Sequence, residues 1–131
     1  MSVPVPVPSP LTAPYWAACR RGELALQRCG GCARFVHLPE PVCPFCGGRD
    51  LPYERVSGRG VVHTFTVVHR AFVPGFTPPF VLAWIDLAEG GARVFGDVVG
   101  LPPEDVRIGM PVRVCFTEIP GFGPVPRWRP A

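Results

Sequence analysis

The sequence predicts a mainly β protein: an N-terminal helix, a four-cysteine ribbon, then a small closed barrel. Three observations carry that expectation. Two Cys-x-x-Cys pairs, Cys29–Cys32 and Cys43–Cys46, stand ten residues apart. From Ser57 onward, short apolar stretches alternate with turns rich in Gly and Pro. Upstream of the cysteines lies one short segment with helical spacing. At 131 residues, the chain has room for one ordinary domain or two very small ones.

Residues 1–11 alternate Val3, Val5 and Val7 with prolines. This composition predicts an extended, disordered tail, with an arm docked on a partner as the other reading. Residues 12–22 read as a helix, with Thr12 as N-cap, Pro14 in the first turn and Gly22 as the stop. Tyr15, Trp16 and Cys19 share one side of it. So short a helix does not hold alone, and Tyr15 and Trp16 are expected to bury against the chain or a partner.

Residues 23–56 form the ribbon. Leu24 and Leu26 alternate with polar neighbours and lead into the first cysteine pair. Phe35 to Leu38 reads as a short strand, Pro39 and Pro41 turn the chain back, and Leu51 to Val56 leaves as an extended segment. Residues 57–131 form the barrel. Its first strand, Val61 to His69, has Val61, His63, Phe65 and Val67 on one face. A loop, Arg70 to Pro79, precedes a strand from Phe80 to Leu87. A turn at Glu89-Gly90-Gly91 joins it to Ala92–Val99. A helical turn near Pro103 leads to Pro111–Ile119, with Val112, Val114 and Phe116 inward. Val125 to Arg129 closes the sheet as an edge strand. This order fits an OB-like barrel, with a small sandwich as the alternative.

Each Cys-x-x-Cys knuckle aims two sulfurs at one point. Two knuckles make a tetrahedral thiolate cage, the environment of a structural zinc. Disulfides, free thiols or iron are the alternatives for the same residues. A unit of about 30 residues has little apolar core, so the metal is expected to supply its folding free energy. Cys19 and Cys115 stand outside this set and read as buried structural thiols.

All 13 basic residues are Arg, the chain has neither Lys nor Asn, and the net charge is +3. A GC-rich coding sequence explains that bias more simply than function does. The lack of Lys excludes Schiff-base chemistry and a phosphate-loop lysine. Arginines scattered along the chain do not form a polyanion-binding tract. The run Phe80–Ile85 is too short to span a bilayer. The N-terminus has no basic start, and its prolines break the helix a signal peptide needs. A cytoplasmic protein with reduced cysteines is therefore expected.

Nucleophilic catalysis needs a nucleophile beside a base. The chain has three serines, two of them in the tail. His37 and His63 read as structural, and Asp86 and Asp97 as solvated or Arg-paired. His69 and Arg70 stand where the first barrel strand enters the loop. They either tie down the loop or contact a phosphate or partner carboxylate. Phe72 and Phe76, in a loop held by prolines, are either partner anchors or plugs for the barrel end. A nucleic-acid-binding module is the competing function. It needs aromatics interleaved with basic residues on the barrel face, whereas Phe65 and Phe95 have apolar neighbours that read as burial.

Five segments in order carry a resemblance: Tyr15-Trp16; Leu24-Ala-Leu-Gln-Arg-Cys29 into the cysteine ribbon; Ser57-Gly-Arg-Gly60; Phe65-Thr-Val-Val-His-Arg70; and Arg107-Ile-Gly-Met-Pro-Val112. From about Leu11 to Pro130 the chain resembles a bacterial and archaeal family with a rubredoxin-like zinc ribbon followed by an OB-fold. That family was long a domain of unknown function. The resemblance implies one structural zinc on Cys29, Cys32, Cys43 and Cys46. It also implies a non-catalytic, acyl-CoA-associated subunit in a hetero-oligomer. The implied partner is a thiolase-like enzyme (ketothiolase, aldolase or hydroxymethylglutaryl-CoA synthase) or a hot-dog hydratase of lipid or polyketide metabolism. In that setting His69, Arg70, Phe72, Phe76, Tyr15 and Trp16 are candidate contacts to acyl-CoA or the partner. They are chosen on their own chemistry; the resemblance assigns none of them.

Overall fold

The computed structural model describes residues 4–131; Val3 of the predicted tail lies outside the described residues. The first ordered turn starts three residues earlier than Thr12 predicts. Ser9 Oγ accepts the Thr12 N–H at 3.2 Å, and Thr12 Oγ1 accepts the Ser9 N–H at 2.9 Å. This reciprocal box engages the Thr12 hydroxyl, which makes no cap bond to the helix that follows. Helix α1 runs from Ala13 to Arg20. It ends in a double carbonyl bond: Glu23 N–H to Ala18 O at 3.0 Å and Gly22 N–H to Cys19 O at 2.9 Å. Gly22, at φ 73, supplies the left-handed residue this ending requires.

Three strands make the ribbon sheet: β1 (Leu24–Arg28), β2 (Phe35–Val36) and β3 (Tyr53–Val56). Their order is β2-β1-β3, all antiparallel. The segment expected only to lead away from the ribbon contains its third strand. Leu24, Leu26, Phe35 and Val56 belong to one core with Val62, Ile85 and Trp128 of the barrel. The ribbon, expected to have little apolar core, shares the barrel's. Helix α1 lies against β1, β3 and β8 and covers the junction.

Five strands make the barrel: β4 (Arg59–Val68), β5 (Phe80–Leu87), β6 (Arg93–Val98), β7 (Pro111–Ile119) and β8 (Gly123–Pro130). They close in the order β4-β5-β6-β8-β7, with β7 pairing back to β4. Only the β6–β8 contact is parallel. A 3-10 turn at Pro103–Asp105 precedes β7. This is the five-stranded OB arrangement.

Two expectations need correction. Strand β8 is not an edge, because it lies between β6 and β7. Strand β4 does not alternate strictly, because a bulge falls between Val62 and Thr64. The extra residue resets the faces. Val62, Phe65 and Val67 therefore pack into the core, while His63 and Thr64 are both exposed. Trp128, 2% exposed, fills the barrel from β8. Gly96 on β6 makes room for it, since a Cβ there would stand 3.0 Å from the indole Cδ1. Among the described residues no helix is long and apolar enough to cross a membrane.

Candidate functional site

The two cysteine knuckles repeat one local geometry. Cys29 N–H donates to Arg34 O at 2.9 Å, and Cys43 N–H to Gly48 O at 2.8 Å. Ala33 N–H returns to Cys29 O at 2.8 Å, and Gly47 N–H to Cys43 O at 2.9 Å. The residue after each second cysteine is therefore left-handed: Gly47 at φ 77 and Ala33 at φ 64. A third bond, Gly30 N–H to Asp50 O at 2.9 Å, links the first knuckle to the chain leaving the second.

The four Sγ atoms lie within 4.8 Å of one another. Cys29 and Cys46 sulfurs are 3.6 Å apart, and those of Cys32 and Cys43 are 3.7 Å apart. A tetrahedron with metal–sulfur bonds of about 2.3 Å has edges of about 3.8 Å. The cage thus has the size zinc requires, and its sulfurs stand well beyond the roughly 2.05 Å of a disulfide. Burial alone would push the Cys43 thiol up. The backbone N–H groups of Cys46 and Phe45, and the facing sulfurs, pull it below its ordinary value instead. The Gly31 N–H adds a bond to Cys29 Sγ at 3.3 Å. The donors to Cys43 favour its thiolate, whereas at Cys46 the pull of the Gly48 N–H is outweighed by the facing sulfurs and burial, which push the thiol up.

Gln27 was not a candidate, yet it shapes the cage. It is 3% exposed. Its Nε2 donates to Glu40 O at 3.1 Å, and its Oε1 accepts the Glu40 N–H at 2.8 Å. That double bond pins the hairpin between the knuckles. His37, in the same hairpin, faces the Tyr15 ring at 6.1 Å rather than the sulfurs, and burial pulls its pKa down.

Tyr15 packs on the core and edge-on to Trp16 at 4.8 Å; Trp16 meets Phe122 edge-on at 5.2 Å. Burial pushes the Tyr15 phenol well up. His69 and Arg70 are exposed, and the Arg70 guanidinium stands 5.9 Å from the Phe72 ring centre. Phe72 is 77% exposed, whereas Phe76 folds back on Phe80 at 5.4 Å. Asp86 and Asp97 are each paired with an arginine. Asp86 accepts from Arg93 at 2.6 Å and lies 3.0 Å from His63 Nδ1, while Asp97 accepts from Arg127 at 2.8 Å. Arg93 foremost, with His63 behind it, holds the Asp86 carboxyl below its usual range.

Phe95 overturns the expectation of burial. It is 52% exposed and packs edge-on at 4.9 Å against its cross-strand neighbour Trp84, itself 41% exposed. Beside this pair, the Arg70–Pro79 loop and the β7–β8 turn flank a cleft of about 490 Å³. Phe76, Leu82, Ile119 and Val125 line it, with the Asp97–Arg127 pair at its polar end. No motif marks the cleft, because its walls come from four strands and a loop.

Residues 16–52 match the family described as "ChsH2, rubredoxin-like zinc ribbon domain", and residues 53–117 match "ChsH2, C-terminal OB-fold domain". A chain of the solved Ltp2-ChsH2(DUF35) aldolase is 34% identical, with a TM-score of 0.87. That likeness covers 95% of this chain and 98% of that one. The chain belongs to the ChsH2 (DUF35) family. Its cysteine cage is the zinc ribbon of that family, with Cys29, Cys32, Cys43 and Cys46 positioned to hold one metal ion. A DUF35 domain-containing scaffold protein of Pyrococcus furiosus is 34% identical over 113 residues, 82% of this chain and 79% of that protein. A probable enoyl-CoA hydratase alpha subunit of Thermomonospora curvata is 35% identical over 117 residues. It is matched over 89% of this chain but 36% of its own length. The ChsH2-type chain described here thus spans about a third of the hydratase subunits it matches.

Proposed function

We propose that this chain is a non-catalytic accessory subunit that docks on an acyl-CoA enzyme of the thiolase-like or hydratase type. The end-to-end likeness to the DUF35 chain of the Ltp2-ChsH2(DUF35) aldolase carries this reading. The side chains agree with it. His63 is engaged with Asp86, and burial pushes the Cys19 thiol up to about 11, so neither offers an activated nucleophile. Reduced knuckle cysteines suit a cytoplasmic setting. In this reading residues 1–11 are a disordered tail, and the helix (12–22) braces a ribbon (23–56) on a barrel (57–131). Tyr15 and Trp16 stiffen that junction, and His69 and Arg70 frame the loop that carries the docking anchor.

Phe72 is that anchor. It is exposed in a loop whose prolines limit the entropy lost on docking. Co-expression with an acyl-CoA enzyme encoded beside it tests the reading. Phe72→Ala should weaken the complex by about 30-fold, the loss of a hot spot worth about 2 kcal/mol, with little change in melting temperature. Full-affinity binding by that variant, or acyl-CoA turnover by the isolated chain, contradicts the proposal.

The Trp84–Phe95 pair beside Arg93 favours a second reading, single-stranded nucleic acid stacked on the barrel. A gel shift that Trp84→Ala abolishes would select it.

A further inference from the structure

Three arginines stand side by side on the outside of the barrel. The register pairs Arg59 of β4 with Arg113 of β7, and Arg113 with Arg129 of β8. Direct cross-strand partners share a face, with Cα atoms about 5 Å apart. Their neighbours Gly60, Val112 and Trp128 are buried, so the three side chains point outward, and all three are exposed. Among the described residues none of the three forms an ion pair, although Arg93 and Arg127 on the same barrel hold Asp86 and Asp97. Like charges directly opposite one another destabilise a sheet. An unpaired row of this kind is suited to an anion from outside the chain.

Cys115 gives an independent view of the same field. It is the next outward residue of β7 and pairs with Arg127. Burial pushes its thiol up, and the positive fields of Arg129, Arg127 and Arg113 pull against that. The guanidinium groups of Arg113, Arg127 and Arg129 therefore lie close enough to act on one thiol.

The row also continues into the cleft. The outward residues of β8 are Val125, Arg127 and Arg129; those of β7 are Ile119, Thr117, Cys115 and Arg113. Ile119, Thr117, Val125 and Arg127 line the cleft. At about 3.4 Å per residue, Val125 and Arg129 are roughly 13 Å apart. Along that line the surface passes from apolar walls, through the neutral Asp97–Arg127 pair, to three unpaired guanidinium groups.

We propose that the Arg59–Arg113–Arg129 row binds the phosphates of an acyl-CoA whose acyl end lies in the cleft. Guanidinium forks bind phosphate oxygens in pairs, which the single-point charge of lysine does not. An acyl-CoA has phosphates at one end, an amide-bearing arm in the middle and an apolar group at the other end. The surface presents its complements in the same order. The identity of the phosphate carrier rests on the acyl-CoA reading above; the phosphate chemistry rests on the row itself.

Calorimetric titration of the zinc-loaded full chain tests this. The probes are octanoyl-CoA, adenosine 3′,5′-bisphosphate, pyrophosphate, pantetheine and single-stranded DNA. The variant Arg113→Gln with Arg129→Gln should bind octanoyl-CoA and the bisphosphate at least tenfold more weakly. It should bind pantetheine as the unaltered chain does and melt no lower, because repulsion has been removed. Arg49→Gln, in the turn after the second knuckle, should change nothing. Any of four results overturns the proposal: octanoyl-CoA affinity unchanged in the double variant; equal weakening by Arg49→Gln; no phosphate probe bound by the unaltered chain at millimolar concentration; or pyrophosphate or single-stranded DNA bound as tightly as octanoyl-CoA. Partner docking is scored separately. Intact docking without row-dependent phosphate binding removes the row alone, and row-dependent phosphate binding with no docking removes the accessory role alone.

Discussion

Ala33 has a left-handed backbone at φ 64, where the matching position of the second knuckle holds Gly47. Its N–H bond to Cys29 O keeps it there, because releasing the backbone would open the knuckle. A Cβ in this region costs roughly 1–2 kcal/mol, part of which glycine gives back through the entropy of the unfolded chain. Ala33→Gly should therefore stabilise the zinc-loaded protein by up to about 1 kcal/mol, seen as a higher urea midpoint. An unchanged or lower midpoint would show that Ala33 is not strained. The cysteines were legible because a knuckle is made within a few residues. Ala33 was not, since alanine carries no mark of the conformation its neighbours impose.

Strand β1 shows where periodicity misleads. Its sequence alternates, so Gln27 reads as a solvent-facing neighbour of Leu26. The strand is instead buried on both faces, because Leu24 and Leu26 pack in the shared core and the hairpin between the knuckles folds over Gln27. Gln27→Ala leaves the N–H and C=O of Glu40 without partners and should cost about 2 kcal/mol in a denaturant titration. Gln27→Glu should cost a similar amount, as a carboxylate cannot donate to Glu40 O. A Gln27→Ala protein with the original midpoint would mean that water replaces both bonds. Strand β4 makes the same point, since one bulge after Val62 parts Phe65, packed on the core, from Val61 and His63, whose face it was expected to share.

One core spans ribbon and barrel, with Leu24, Leu26 and Phe35 packed in the same cluster as Ile85 and Trp128. Loss of the metal should therefore loosen both parts. Stripping zinc with a chelator, or replacing Cys43 with Ser, should lower hydrogen-exchange protection of the β5 amides together with those of the ribbon. Full protection of β5 in the metal-free protein would show two independent units.

The cysteine spacing, the glycine and proline turns and the apolar strand segments were readable along the chain, and so was the family likeness they carry. Each depends on contacts within a few residues. The exposure of Trp84 and Phe95, the interior place of β8, the cleft and the arginine row were not readable. Arg59, Arg113 and Arg129 are scattered along the chain and become neighbours only through the register in which β7 meets β4 and β8. Which side of a strand meets water depends on what the strands beside it bring. That depends on barrel closure, where burial of Trp128 and its neighbours selects one register among those that local propensity allows.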